Sequence, residues 1–326
     1  MARLLIVVLL TASVYTLSSY GQGQRAVAPG ILPVPPWPAD GNVNALPPGR
    51  YVFFNPKNAE WVISYPETLA DPQSPRVTLR LGSHAQVTPS IEVHINRESN
   101  GSFSYSYLIV NAATARTPIQ GWTLLVPAQD SKLAATHPIW GMHSNTGTPA
   151  REGPGLVTPT PLVALEWSAI DTARVMPGAG VGAFSVTSSC SPGFSTASFR
   201  GSVRTGSSEQ LTAPLPEAVA EQLRTILTSR DTQVKLTLGP KFTPDATKTM
   251  IADNFHYGIS SLVQQGVLAG DTAFVAGALQ ALGSFLTSNG TGSLDPERLD
   301  FMSQAKAGTE EAEIANALRW SLSAAK

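Results

Sequence analysis

The stretch FSYSYLIV, residues 103–110, decides the fold class of this chain. Large apolar residues stand at positions 103, 105, 107 and 109, and serines lie between them at 104 and 106. A period of two is typical of a β-strand with one buried face. The dipeptide Asn100-Gly101 just before it favours a tight turn. We therefore expect a hairpin that joins the strand at Phe103 to an earlier strand around Ile91.

The same alternation recurs on both sides of this hairpin. It is clearest at Trp61–Tyr65, Val77–Leu81, Ile91–Ile95, Trp122–Val126, Val163–Trp167 and Phe184–Val186. Pro177-Gly178 and Pro192-Gly193 favour turns near the end of the region. Seven or more short strands with almost no helical period predict an antiparallel Ig-like β-sandwich over residues 50–205.

This predicted sandwich resembles exported Ig-like modules. It departs from the common immunoglobulin type because the chain has a single cysteine, Cys190, and therefore no intramolecular disulfide. An exported domain without a disulfide depends on burial of its core. We expect the Cys190 thiol to be buried and inert rather than reactive.

From about residue 213 the period becomes helical. An apolar stripe from Val219 to Leu227 predicts a first helix with Pro216 at its first position, and a short extended piece follows at Val234–Leu238. Start and stop signals for later helices lie at Thr243-Pro244, Gly266, Asp271, Asn289-Gly290, Asp295-Pro296 and Thr309. About five helices with short connections predict a small antiparallel helical bundle as a second domain, residues 213–326.

The start of the chain has the layout of a secretory signal peptide. Arg3 precedes an apolar run, Leu4–Val14, that is short for a membrane span, and small residues follow up to Gly21. We expect residues 1–21 to be a signal peptide cleaved after Gly21, so that the protein is secreted or periplasmic and meets a membrane only during export. Residues 22–49 are rich in proline and predict an extended linker, in which Trp37 is more often solvent-exposed than docked.

Composition excludes one class of partner. The chain has 22 basic and 23 acidic residues, a net charge of −1, and only 14% charged residues. Such a balance offers no basic stripe for phosphate groups, so nucleic acid is excluded as a partner. A carbohydrate or a cell-surface protein remains as the expected ligand.

No nucleophile elbow, P-loop, zinc-protease helix or dinucleotide fingerprint occurs in the sequence. The best carboxylate pair for a glycosidase-like hydrolase is Glu166 and Asp171. Glu166 alternates with apolar neighbours on a predicted strand and is expected to point to solvent, and Asp171 begins a turn. We therefore predict no catalytic residues.

A long segment between residues 128 and 160 is the candidate ligand site, because connections of this length in compact domains are usually functional or disordered. It contains Trp140, His137 and His143. Trp140 could form a platform for a sugar ring or a partner, or could fold back over the sandwich edge. The two histidines could bind a metal with Asp130 or Glu152, but their spacing matches no common metal site. We predict no metal and no cofactor.

The sequence thus predicts an exported, non-enzymatic binding protein. A secreted hydrolase that uses the Glu166 and Asp171 pair or the histidine-containing loop is one alternative. A structural spacer that presents the helical bundle to a partner is another.

Overall fold

The structure is a computed structural model. It describes residues 34–325 except 44–45, 131, 146–155, 157–160, 171–172, 203–214, 289, 291 and 297–298. The predicted signal peptide, the first part of the predicted linker, Glu152 and Asp171 therefore lie outside the described residues. Contacts group Val34–Lys326 into one compact unit. This unit consists mainly of antiparallel β-sheet, with four α-helices in its described part.

The strands are β1 (Val52–Asn55), β2 (Glu60–Pro66), β3 (Arg76–Gly82), β4 (Pro89–Arg97), β5 (Phe103–Asn111), β6 (Ile119–Pro127), β7 (Ala134–Thr136), β8 (Trp140–Asn145), β9 (Leu162–Ala169), β10 (Gly180–Ser188), β11 (Ser191–Gly201) and β12 (Gln233–Phe242). The helices are α1 (Glu217–Arg230), α2 (Lys248–Gln264), α3 (Ala273–Thr287) and α4 (Glu310–Ala324), and a 3-10 helix spans Asp300–Gln304. Among the described residues, no helix combines the length and apolar character needed to cross a membrane.

Two of the three sheets share one core. Their strand orders are β4-β5-β10-β7 and β12-β11-β6-β9-β8. Trp122 of β6 stacks on Trp167 of β9 at 4.3 Å, and it meets Phe184 of β10 at 5.3 Å and Tyr107 of β5 at 5.5 Å. Phe184 and Tyr107 belong to the four-stranded sheet, so the inward faces of the two sheets pack on each other through aromatic rings.

The first sheet, β1-β2-β3, has a separate core. One face carries Trp61 and Ile63, and helix α1 covers it with Val219, Leu223 and Ile226. These three residues belong to the stripe that predicted the helix, so the stripe is confirmed. We define β1–β3 and α1 as the small sheet unit.

All six alternating segments named from the sequence lie in strands, which confirms the β-rich region. The hairpin is confirmed as well, since β4 and β5 pair from Pro89↔Asn111 to Arg97↔Phe103, and Gly101 adopts the positive φ of +80° that a turn requires. The turn at Pro177-Gly178 also forms, with Gly178 at φ +81°.

The predicted turn at Pro192-Gly193 is wrong, because both residues lie inside β11. A register shift against β12 falls between Ser191 and Pro192, where a residue without an N–H is tolerated. A Cβ at Gly193 would come within 2.5 Å of the Phe242 ring, so glycine serves here for close packing rather than for turning.

The predicted bundle differs from the structure in two respects. Helix α1 packs in the small sheet unit, and α2 and α4 pack on β11 while α3 packs on α2. The short extended piece at Val234–Leu238 is part of β12, which pairs along β11 as the end strand of the five-stranded sheet. Helical period identifies the buried face of a helix but not the surface that covers it.

The helix boundaries are partly confirmed. Gly266, at a φ of +70°, directly follows the C-cap of α2 at Gln265, and Thr309 is the N-cap of α4. The caps of α2 and α3 are Thr247 and Thr272 rather than Thr243 and Asp271, because the threonine hydroxyls accept from the backbone N–H groups three residues on.

Trp37 is docked, contrary to the expectation for a linker aromatic. Its backbone N–H donates to Phe54 O at 2.8 Å, and its ring lies edge-on to Phe53 at 5.8 Å between centroids. Pro36 forms a parallel bridge with Phe54. The segment Val34–Trp37 therefore lies along the outer edge of β1, and we refer to it as the arm.

Candidate functional site

The long segment predicted as a loop contains two strands, and His137 forms the corner between them. β7 pairs with β10 in the four-stranded sheet, whereas β8 pairs with β9 in the five-stranded sheet. The chain crosses from one sheet to the other over residues 137–139. β7 pairs with β10 at three positions and β8 with β9 at six, so residues 134–136 and 140–145 of this segment are part of the two sheets.

Three hydrogen bonds fix the His137 ring. Nε2 lies 2.9 Å from Gly182 O and donates to it, and Nδ1 accepts from the backbone N–H groups of Ile139 at 3.1 Å and Trp140 at 3.0 Å. This pattern needs the neutral imidazole with its proton on Nε2. Burial lowers the pKa of His137, with a smaller opposing effect from the Gly182 carbonyl. His137 is thus a structural residue with both ring nitrogens in use.

Trp140 is buried, with 3% of its surface exposed. Its ring packs edge-on to Phe184 at 5.1 Å and to His137 at 6.1 Å. The indole N–H has no hydrogen-bond partner among the described residues, and the same holds for Trp122 and Trp167. Of the two roles considered from the sequence, the structure therefore has Trp140 covering the sandwich edge and not forming an exposed platform.

His143 and Glu166 share the outer face of the five-stranded sheet, which is the face turned away from the four-stranded sheet. They are directly opposite in the register of β8 and β9. Glu166 forms an ion pair with Arg200 of β11, and the Arg200 guanidinium also donates to Ser168 Oγ at 3.1 Å. Glu166 and Arg200 are partly exposed, as the sequence predicted for Glu166, whereas α2 and α4 pack on β11.

Glycine makes the Arg200 contact possible. The Arg200 side chain crosses β6 over Gly121 to reach β9, and a Cβ at position 121 would lie 2.7 Å from Arg200 Nε. Any side chain at this position would displace the guanidinium from Glu166 and Ser168. The Arg200 side chain therefore lies flat on the outer face over Gly121, and its guanidinium stays close to the sheet.

Two isoleucines are exposed beside this outer face. Ile139 and Ile170 follow the last β8–β9 pair, Trp140↔Ala169, one on each strand, so they emerge at the same end of the ladder. They are 56% and 54% exposed. The Ile170 Cδ1 lies 3.9 Å from where a Cβ of Gly141 would be. We define Ile139, Ile170, His143, Glu166 and Arg200 as the corner surface.

The structure brings only some of the sequence candidates together. His143 and Glu166 are neighbours, whereas the His137 ring contacts Phe184 on the inner side of the sheets. Asp130 lies in a third place, where it accepts from the Ser188 hydroxyl and from the Ser189 N–H and hydroxyl. Within the described residues, no three His, Cys, Asp or Glu side chains are grouped as a metal site would need.

Asp231 is the main polar residue that sequence reasoning missed. It is buried, and its Oδ1 accepts from Trp61 Nε1 at 2.9 Å, Ser83 Oγ at 2.6 Å and His84 N–H at 2.9 Å. Asp231 lies between α1 and β12, and Ser83 and His84 lie between β3 and β4, so this carboxylate joins the two chain segments that connect the small sheet unit to the sandwich. The donors are 147 to 170 residues away from Asp231 in sequence, so no local spacing indicates the contact.

Asn254 was missed for a related reason. Its side chain accepts from Phe194 N–H at 2.8 Å and donates to Phe194 O at 2.9 Å. β6 pairs with β11 only from Ala197 onward, so the α2 amide supplies the hydrogen bonds that a neighbouring strand would give at Phe194. An asparagine in a helix carries no sequence signal for such a role.

The comparisons with known proteins leave the function open. No family model and no curated protein matches the chain. A solved structure, described as an uncharacterized protein from Nocardia farcinica with an immunoglobulin-like fold, is similar over 35% of this chain and 80% of its own. The sequence identity is 14% and the TM-score is 0.25, which is too low a similarity to infer a fold or a function.

Proposed function

We propose that the protein is an exported, non-enzymatic binding protein and that its ligand surface is the corner surface. The observation that carries the proposal is the pair of half-exposed isoleucines, Ile139 and Ile170, next to the fixed charges of Glu166 and Arg200. Apolar side chains rimmed by polar ones are typical of interaction sites. The corner surface overlaps the segment predicted from the sequence as the ligand site. From that segment it includes Ile139 and His143 but not Trp140.

The arrangement favours binding over hydrolysis. Glu166 is paired with Arg200, and the imidazole of His137 is engaged at both nitrogens by backbone groups. A hydrolase needs an acid and a base that face one substrate within hydrogen-bond reach. His137 and Glu166 belong to opposite faces of the five-stranded sheet, so they do not form such a pair.

A cell-surface protein fits the corner surface better than a carbohydrate. Sugar rings bind on exposed aromatic faces, and the tryptophan of this region is buried. Branched aliphatic side chains beside an Arg–Glu pair suit a protein partner with an apolar centre and a polar rim. A carbohydrate ligand is the alternative outcome of the binding test below.

We further propose that the two facing sheets are an Ig-like sandwich, followed by a helical bundle that covers β11. The strand order supports this description. With β4, β5, β6, β7, β10, β11 and β12 in the places of strands A, B, C, D, E, F and G, the sheets read A-B-E-D and G-F-C-β9-β8. The additional strands β8 and β9 follow strand D in the chain and extend the second sheet beyond strand C. Trp122 then lies on strand C, and its contacts with Tyr107 and Phe199 stand where immunoglobulin domains have a disulfide.

Export is tested with a charge in the apolar run. We expect Leu9→Arg to block export, because a charged residue is costly in the hydrophobic segment of a signal peptide, while Leu9→Ile leaves export unchanged. The measurement is the exported fraction, together with the N-terminal sequence of the exported chain, which should begin at Gln22. Unimpaired export of Leu9→Arg, or an exported chain that retains residues 1–21, would contradict the proposal.

Binding is tested with two matched double variants. Ile139→Asp with Ile170→Asp alters the corner surface, and Val234→Asp with Val267→Asp alters exposed valines elsewhere, 41% and 50% accessible. The probes are intact cells, protease-treated cells and a glycan array. We expect the wild type and the valine variant to bind intact cells, and the isoleucine variant to bind at least about tenfold more weakly.

Each outcome of this test has a defined meaning. Loss of binding after protease treatment supports a protein ligand, and retained binding with a glycan-array signal supports a carbohydrate. Equal binding by both double variants would remove the corner surface from the proposal. Absence of binding by the wild type to every probe would contradict the binding function.

A further inference from the structure

The arm occupies the outer edge of β1 in the manner of a bound peptide. Phe54 N–H donates to Pro35 O at 3.2 Å and Trp37 N–H donates to Phe54 O at 2.8 Å, so one residue of β1 makes both backbone contacts. The arm runs parallel to β1. Such an addition of an extended segment to a sheet edge is a recurring mode of peptide recognition.

The side chains of the arm use both faces of the small sheet unit. Val34 packs against the core that α1 covers. Trp37 lies on the opposite face against Phe53, and the Arg80 guanidinium stands 5.8 Å from the Trp37 ring centre. Arg80 is itself paired with Glu60. The edge of β1 thus recognises a proline-flanked segment with one aliphatic and one aromatic residue.

Most of the described connection between the arm and β1 is exposed, and its end contacts α1. Its described residues 39–42 and 47–49 are exposed, and Gly41 and Gly49 adopt positive φ angles of +70° and +72°. Gln222 of α1 accepts from Tyr51 N–H and donates to Gly49 O, which fixes the end next to β1. The arm can therefore leave its site without disturbing the β1–β2 ladder or the α1 contact.

We propose that two copies of this chain exchange their arms, each arm binding to the β1 edge of the other copy. The contacts in the exchanged pair are the same as those within one chain, because the arm and its site are unchanged. The single chain and the exchanged dimer differ only in the connection, which sets the effective concentration of the arm at its own β1 edge. On the scale for short linkers, a connection of this size gives an effective concentration of about 1 mM. The wild-type chain is then a monomer at micromolar concentration and forms the exchanged dimer near the millimolar range.

Shortening the connection tests the proposal. Adjacent parallel strands need a crossover of roughly a dozen residues. Deletion of residues 39–48 leaves Pro38 joined to Gly49, and the arm can no longer return to its own β1. The full chain, purified from an exporting host, is measured by size-exclusion chromatography with light scattering, and circular dichroism checks its fold. We expect the deletion variant to be a dimer at about 10 μM, a change of roughly 100-fold in the dissociation constant.

A second variant separates arm exchange from other association. Trp37→Ala in the deletion background removes the ring that contacts Phe53 and Arg80, and the dimer should return to a monomer. A folded deletion variant that stays a monomer at 100-fold above this concentration would overturn the proposal. So would a deletion dimer that persists unchanged with Trp37→Ala. Neither result bears on cell binding by the corner surface, which the arm does not touch.

Discussion

The sandwich and the small sheet unit are held together in different ways. The sandwich buries a continuous aromatic cluster around Trp122, and it leaves three indole N–H groups without a partner among the described residues. In the described part of the small sheet unit, seven buried apolar residues form the core under α1, and Phe53 and Val62 are buried on the other face. Asp231 joins its connections to the sandwich through three donors on one oxygen. The larger unit depends on apolar burial and the smaller one on a polar tie.

This difference follows from size. Burial of a large aromatic side chain contributes several kcal/mol, enough to outweigh unpaired donors. A three-stranded sheet with one helix buries less surface, and units of that size need a further constraint. In this chain, which has a single cysteine, a buried carboxylate takes that place for the small sheet unit.

The largest effect is expected from Trp122→Ala. It removes the ring that contacts Trp167, Phe184 and Tyr107, and it should lower the free energy of unfolding by about 3–5 kcal/mol. Urea denaturation followed by circular dichroism measures this loss. Trp122→Phe keeps an aromatic ring in the same place and should cost roughly half as much. Equal losses for the two variants would mean that aromatic packing is not what stabilises the sandwich.

Asp231→Ala is expected to lower the free energy of unfolding by about 3 kcal/mol, because three donors, two of them buried, lose their acceptor. The loss should be local, so hydrogen exchange should become faster in β1–β3 and α1 while β5 and β6 keep their protection. Asp231→Asn retains one acceptor oxygen and is the matched control, with a smaller loss. Uniform acceleration across both units would show that the tie does not separate them.

A smaller, pH-dependent effect is expected at His137, whose pKa burial holds below the ordinary value of 6.5. For a base with a lowered folded pKa, the stability is fully present above the unfolded pKa. It is lost as the pH falls from about 6.5 towards the folded pKa. Protonated Nδ1 no longer accepts from Ile139 and Trp140. The wild type should therefore lose stability over this range in thermal unfolding.

His137→Ala should lower stability by about 1–2 kcal/mol at pH 8 and remove that part of the pH dependence. His143→Ala is the matched control for the stability loss at pH 8, because His143 is exposed on β8. A pH dependence that survives His137→Ala unchanged would assign it to another group.

The strands could be predicted where one face is buried and the other is not. Tyr105 and Tyr107 alternate with serines, and so β5 and its hairpin were found. β11 was not among the strands named from the sequence. At its start Phe194 packs on α2 while Ser195 turns inward, and a strand buried on both faces has no period of two. The same reason explains why only Val234–Leu238 of β12 was predicted as extended, since the residues from Thr237 to Phe242 are all buried.

The proposed site could be predicted only as a region. The length of the segment between residues 128 and 160 pointed to the edge of the sandwich at which we propose the corner surface, but the roles within it depend on tertiary contacts. Trp140 and His143 are three residues apart on one strand and therefore face opposite sides of the sheet. A sequence treated as a loop has no such alternation, so burial of Trp140 and exposure of His143 could not be assigned.

The buried Cys190 gives the chain its own reporter of unfolding. In the folded protein the thiol is 1% exposed, and burial together with Asp130 raises its pKa to about 12, so thiolate is scarce. In an unfolded chain the same thiol is an ordinary nucleophile. The rate at which a thiol reagent labels the single cysteine therefore measures how often β10 and β11 separate around it. That rate can be followed in any variant, without adding a probe.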